Sequence, residues 1–166
     1  MTIPYSTHKW RRVSGSRRQG QGDRLKKITI YTDGAARGNP GESASGYIIY
    51  GDGEEILKKH EEYNGIKTNN YAEYNAIMLA LDWCLKNMGD PKELDITLYS
   101  DSQLVVKQLN GIYKVKSPDM VELNDRTKMM IKNLGSFKII NVPRENNGIA
   151  TVDAALNHFL DRRKKQ

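Results

Sequence analysis

Two aspartates close two stretches of nearly identical character. Asp33 ends I-T-I-Y-T-D (Ile28 to Asp33), and Asp101 ends I-T-L-Y-S-D (Ile96 to Asp101). β-Branched, aliphatic and aromatic side chains in such runs fit a sheet interior far better than a helix. Side chains alternate across a strand, so Thr29, Tyr31 and Asp33 share one face, as do Thr97, Tyr99 and Asp101. Paired as parallel neighbours in register, the strands would hold both carboxylates side by side, about 5 Å apart. Two negative charges that close, at the rim of an apolar sheet, require a cation.

Two further acids sit where a helix would face a core. The periodicity predicts a helix over residues 69–88, on which Glu73 lies within about 100° of Ala76, Ile77, Ala80, Leu81 and Cys84, with Asn75, Asp82 and Lys86 opposite. A last helix is predicted over residues 149–162, on which Asp153 shares a face with Ile149, Leu156 and Leu160. A carboxylate on such a stripe bears a large desolvation cost unless a buried donor or a metal ion faces it. The three histidines (His8, His60, His158) are scattered, so no zinc-type set is present. All-oxygen ligands favour Mg²⁺ or Mn²⁺, and four carboxylates suit two such ions. A pair of ions about 4 Å apart serves in-line displacement at phosphorus, so the chemistry indicated is phosphoryl transfer to water.

The elements that must position these acids follow from the remaining pattern. After the first strand, Gly34 to Gly41 (G-A-A-R-G-N-P-G) reads as a turn-forming run. Ser43 to Tyr50 and Glu54 to His60 read as strands of a hairpin about Gly51-Asp52-Gly53. Beyond the second signature strand come a short helix over 102–109, a helix opened by Pro118-Asp119 with Asp119 and Glu122 as a capping box, and a strand over 137–142. The order β-β-β-α-β-α-α-β-α implies an α/β fold: a mixed sheet with helices on both faces.

Composition bounds the partners. At 166 residues the chain supports one sizeable domain, and its single cysteine, Cys84, lies in an apolar run as a core residue of a reducing compartment. No stretch approaches the ~18 apolar residues of a membrane span and no secretory signal is present, so a cytoplasmic location is expected, with mitochondrial import the minor alternative. Of the net charge of +6, residues 1–27 carry eight Lys or Arg against one acid, Asp23, while the remainder is close to neutral. Residues 1–26, rich in Gly, Ser, Gln and Arg, form a basic arm in which Lys9, Trp10, Arg11, Arg12, Arg17 and Arg18 could meet a polyanion. The folded domain is expected over 27–163, with a basic tail at 164–166.

Several of these segments, in order, resemble a type 1 ribonuclease H, and are closer to the archaeal-type subgroup. They are T-D-G-A-A-R-G-N-P-G (Thr32 to Gly41), T-N-N-Y-A-E (Thr68 to Glu73), Y-S-D-S-Q-L-V (Tyr99 to Val105), Y-K-V-K (Tyr113 to Lys116), and V-P-R-E-N-N (Val142 to Asn147) followed by D-A-A-L (Asp153 to Leu156). The resemblance implies a five-stranded mixed sheet, three antiparallel strands then two parallel. It implies hydrolysis of the RNA strand of an RNA/DNA hybrid to 3′-hydroxyl and 5′-phosphate ends by a monomer, with double-stranded RNA a second candidate substrate. Asp33, Glu73, Asp101 and Asp153 match the family's metal-binding acids. Asn39, Asn69, Asn70 and Gln103 match its minor-groove contacts, and Thr68 a contact to a DNA phosphate. The loop histidine of many bacterial members is missing between Pro143 and Val152, where Arg144 or Glu145 could substitute, and the interval from Asn147 to Asp153 is about two residues longer than usual.

Three rivals are weaker. A non-catalytic hybrid-binding module has no use for four acids facing a phosphate. An actin-like kinase needs two lobes, which 166 residues cannot supply. A proofreading exonuclease wants a D-x-E pair on the first strand, but residue 35 is alanine.

Overall fold

The structure, a computed structural model, describes residues 25–164. The β-rich runs form β1 (Lys26–Gly38), β2 (Gly41–Tyr50), β3 (Ile56–Lys67), β4 (Leu94–Ser100) and β5 (Ser136–Asn141). The stretches of helical period form α1 (Asn69–Asn87), α2 (Gln103–Leu109), α3 (Pro118–Ile131) and α4 (Asn147–Lys164). Strand order is β3-β2-β1-β4-β5, with β1, β2 and β3 antiparallel and β4 and β5 parallel to β1. The predicted element order and mixed sheet are both present. The signature strands are neighbours in the expected register, Ile28 beside Ile96, Thr29 beside Thr97 and Tyr31 beside Tyr99.

Alternation along these strands sends side chains to two cores. On one face Ile28, Ile30, Ile49, Leu94, Ile96 and Leu98 pack against α1, α2 and α3. There Ala76, Ile77, Ala80, Leu81 and Cys84 are all fully buried, as their wheel positions require. Burial pushes the Cys84 thiol up to about 12, so it is a core residue, not a nucleophile. A buried polar link crosses this layer: the Tyr74 hydroxyl donates to Gln108 Oε1 (2.7 Å) and accepts from Asn124 Nδ2 (3.0 Å). Among the described residues the other face carries α4 alone, on a smaller patch where Val152, Leu156 and Leu160 meet Ala44 and Ile48.

Several boundaries differ from expectation. Within the glycine-rich run the turn is confined to Asn39-Pro40, joined by a cis bond, while β1 continues through Gly38, paired residue by residue with β2. Small residues there serve close packing between backbones. β3 runs on to Lys67, well past His60, because a polar edge strand with irregular register against β2 lacks the alternation that would reveal it. The N-cap of helix α3 is Ser117, whose side chain makes no cap bond, with Pro118 in the first turn, so Asp119 and Glu122 do not form a capping box. Strand β1 takes in Lys26, assigned above to the arm, and α4 takes in Lys164. The arm residues Lys9, Trp10, Arg11, Arg12, Arg17 and Arg18 lie outside the described residues. Among the described residues no helix is long and apolar enough to cross a membrane.

Candidate active site

Asp33 lies within β1, buried at 4% exposure, and Asp101 follows the last residue of β4. The chain around Asp101 is fixed by buried Ser100, whose Oγ accepts from the Ser102 N–H (3.1 Å) and whose carbonyl accepts from Asn141 Nδ2 (3.1 Å). Glu73 arrives from the first turns of α1. That helix starts where Thr68 Oγ1 accepts from the Tyr71 N–H (3.1 Å), and it is tied to β2 where Ser45 Oγ donates to the Ala72 carbonyl (2.6 Å). Gly34 lets α1 lie directly on β1: a Cβ at that position would overlap the backbone of Ala72 and Glu73.

These placements bring one carboxylate oxygen each of Asp33, Glu73 and Asp101 within 4.8 Å of one another. Asp153, on α4, stands outside that tight trio, but its charge acts on Asp33 and Asp101. Burial first, then the charges of Asp101 and Asp153, pushes the Asp33 carboxyl up to about 8. Glu73 is raised well above its usual range by burial and then by Asp33 and Asp101. Asp101 is also raised, chiefly by burial, while the Arg144 guanidinium pulls it down. Glu73 Oε1 is fully buried and has no hydrogen-bond partner. Such an oxygen is costly unless a cation meets it. A hard divalent ion fits this all-carboxylate donor set, in which an orphaned buried oxygen and raised carboxyls share one point.

The other sequence candidates fall in the β1–β2 turn, at the starts of α1 and α2, and in the loop before α4. Asn39, in the β1–β2 turn, accepts from the Asn69 N–H (3.0 Å), joining that turn to the start of α1. Asn39, Thr68 and Asn70 line a cleft of about 620 Å³ between α1 and the start of α3. Gln103 is exposed at the start of α2, and Arg144 and Glu145 are exposed in the turn closed by the bond from the Asn146 N–H to the Pro143 carbonyl (3.0 Å). The cleft also contains Lys67 and Arg126, cations that sequence reasoning passed over. Lys67 had a signal, since it adjoins Thr68. Arg126, on α3, had none.

Five strands in this order, with carboxylates gathered just beyond the end of the parallel β1–β4 pairing, define a ribonuclease H-like fold. The chain belongs to the RNase H family, which it matches over residues 25–149. It is 37% identical over 141 residues to ribonuclease HI of Halobacterium salinarum, covering 85% of this chain and 68% of that protein. A crystal structure of RNase H1 from the same archaeon has a TM-score of 0.74 at 35% identity, covering 82% of this chain and 98% of that one. A bifunctional protein of Mycobacterium tuberculosis is 32% identical over 136 residues, but this chain spans only 36% of its length. An RNase H1 crystallised with an RNA/DNA hybrid has the same TM-score, 0.74, at 35% identity, covering 82% of this chain and 98% of that one.

Proposed function

We propose that this chain is a divalent-metal-dependent endonuclease that hydrolyses the RNA strand of RNA/DNA hybrids, leaving 3′-hydroxyl and 5′-phosphate ends. The observation that carries this reading is the convergence of Asp33, Glu73 and Asp101, from three separate elements, within 4.8 Å. Family membership and the hybrid bound to a structural relative point the same way. In this reading Asp33, Glu73, Asp101 and Asp153 hold two Mg²⁺ or Mn²⁺ ions. Bound there, such ions polarise the phosphoryl group and make an attacking water more acidic. The raised carboxyls exchange their protons for the cations, so binding weakens as pH falls.

The remaining residues orient the substrate. Asn39, Asn69, Asn70 and Gln103 carry amides that both donate and accept, which suits 2′-hydroxyls and base edges in a shallow minor groove. Thr68 Oγ1 already accepts a backbone proton as the cap of α1, which leaves its own proton to give to a DNA phosphate. Lys67 and Arg126 lend positive charge to the same cleft. Arg144, whose charge acts on Asp101, would attract an anionic product from the loop in which many bacterial members carry a histidine.

The test is direct. Labelled RNA/DNA hybrid, duplex RNA and duplex DNA are incubated with the full chain and Mg²⁺ or Mn²⁺, beside an EDTA control. Cleavage of the hybrid's RNA strand that needs the ion and leaves 3′-hydroxyl ends is the expected result. Hybrid that is bound but uncut with either ion would sink the proposal and favour a binding module.

A further inference from the structure

Helix α4 lies along β1 and runs the same way. Near its start Gly148 abuts the Tyr31 ring. Midway, Val152 and Leu156 cover Gly46, the β2 partner of Asp33, where a Cβ would come within 2.9 Å of Leu156 Cδ2 and 3.2 Å of Val152 Cγ1. Further on, Arg37 Nη2 donates to the Asn157 carbonyl (3.3 Å) and Oδ1 (3.2 Å), and Arg37 Nη1 lies 3.0 Å from Asp161 Oδ1. Asn157 Nδ2 in turn donates to the Asp153 carbonyl (3.1 Å).

The lengths agree. From Tyr31 to Arg37 a strand advances roughly 20 Å, and from Gly148 to Asp161 a helix advances roughly 20 Å. The apolar footing of α4 takes in Ala35, Ala44, Ile48 and Tyr63, with the Arg163 guanidinium over the Tyr63 ring, and apolar contact is not directional. A slip of one residue would turn the helix by about 100° and swing Asp153 away from Asp33. A forked guanidinium bound to two residues one turn apart does not tolerate that slip.

We infer that Arg37 is a positioning residue, which through Asn157 and Asp161 sets the register of α4 on β1 and thereby holds Asp153 at the acidic cluster. This rests on the reading of Asp153 as a metal-holding acid. Arg37 and Asp161 side chains are 38% and 61% exposed, so the latch contributes little to overall stability and its variants fold.

The experiment titrates Mn²⁺ by calorimetry into the full chain without nucleic acid, for the parent and for Arg37→Ala, Arg37→Lys, Asp161→Asn, Asp153→Asn and the double variant Arg37→Ala/Asp153→Asn. Steady-state kinetics on hybrid accompany it. Arg37→Ala should weaken Mn²⁺ binding roughly 10-fold and lower kcat with KM little changed. Arg37→Lys and Asp161→Asn should fall between it and the parent, and Arg37→Ala should add nothing once Asp153 is Asn. Parent-like Mn²⁺ binding by Arg37→Ala beside a weakened Asp153→Asn would overturn the latch, as would additive effects or a loss confined to KM. If Asp153→Asn itself binds Mn²⁺ like the parent, the reading of Asp153 fails, whatever Arg37 does.

Discussion

A buried carboxylate among other carboxylates resists ionisation, and Asp33 is pushed up to about 8, by burial before its neighbours' charges. In the unfolded chain the same group ionises near 3.8. A folded-state value above the unfolded one means that Asp33 stabilises most below pH about 4, and that this contribution is lost as pH rises towards 8. In EDTA, Asp33→Asn should therefore match the parent near pH 4 and exceed it near pH 8 by several kcal/mol. Urea unfolding across that range measures the difference; a gap that shrinks with rising pH would refute the assignment. Asp101→Asn should lower hybrid cleavage by roughly 10³-fold, several kcal/mol of transition-state stabilisation, while hybrid binding is no weaker. Retained turnover in that variant would remove Asp101 from the chemistry.

Among the elements, the approach of α1 to β1 decides whether Glu73 reaches Asp33. Gly34 permits it, since any Cβ there meets helix backbone that cannot rotate aside. Gly34→Ala should cost roughly 1–3 kcal/mol by overpacking, read as a lower urea midpoint at unchanged m-value. It should also weaken divalent-ion binding, because Glu73 is displaced with the helix. Full stability and full ion affinity together would show that α1 accommodates the methyl group without moving.

For the molecule as a whole, the basic residues of the arm are so concentrated that they offer a separate contact with a polyanion. We propose that residues 1–24 add phosphate contacts to those of the cleft. Their removal, stopping before β1, should weaken hybrid binding and reduce the slope of log affinity against log salt by roughly 2–4. Measured by fluorescence anisotropy over a salt series, an unchanged slope would show that the arm makes no such contact.

What could be read from the sequence was local. Strand and helix identity, the duplicated strands and the type of each acid depend on neighbours a few residues apart, so the mixed α/β fold and three of the clustered carboxylates were legible there. The extents of β1 and β3 were not, because Gly34 to Gly38 and Glu61 to Lys67 become strand only through pairing with β2. The convergence of Arg126 with Lys67, the position of Asp153 beside but outside the trio, and the hold of Arg37 on α4 arise between residues far apart in the chain. Only the packing of helices on the sheet determines such distances, since no periodicity records which turn of a helix will lie over which residue of a strand.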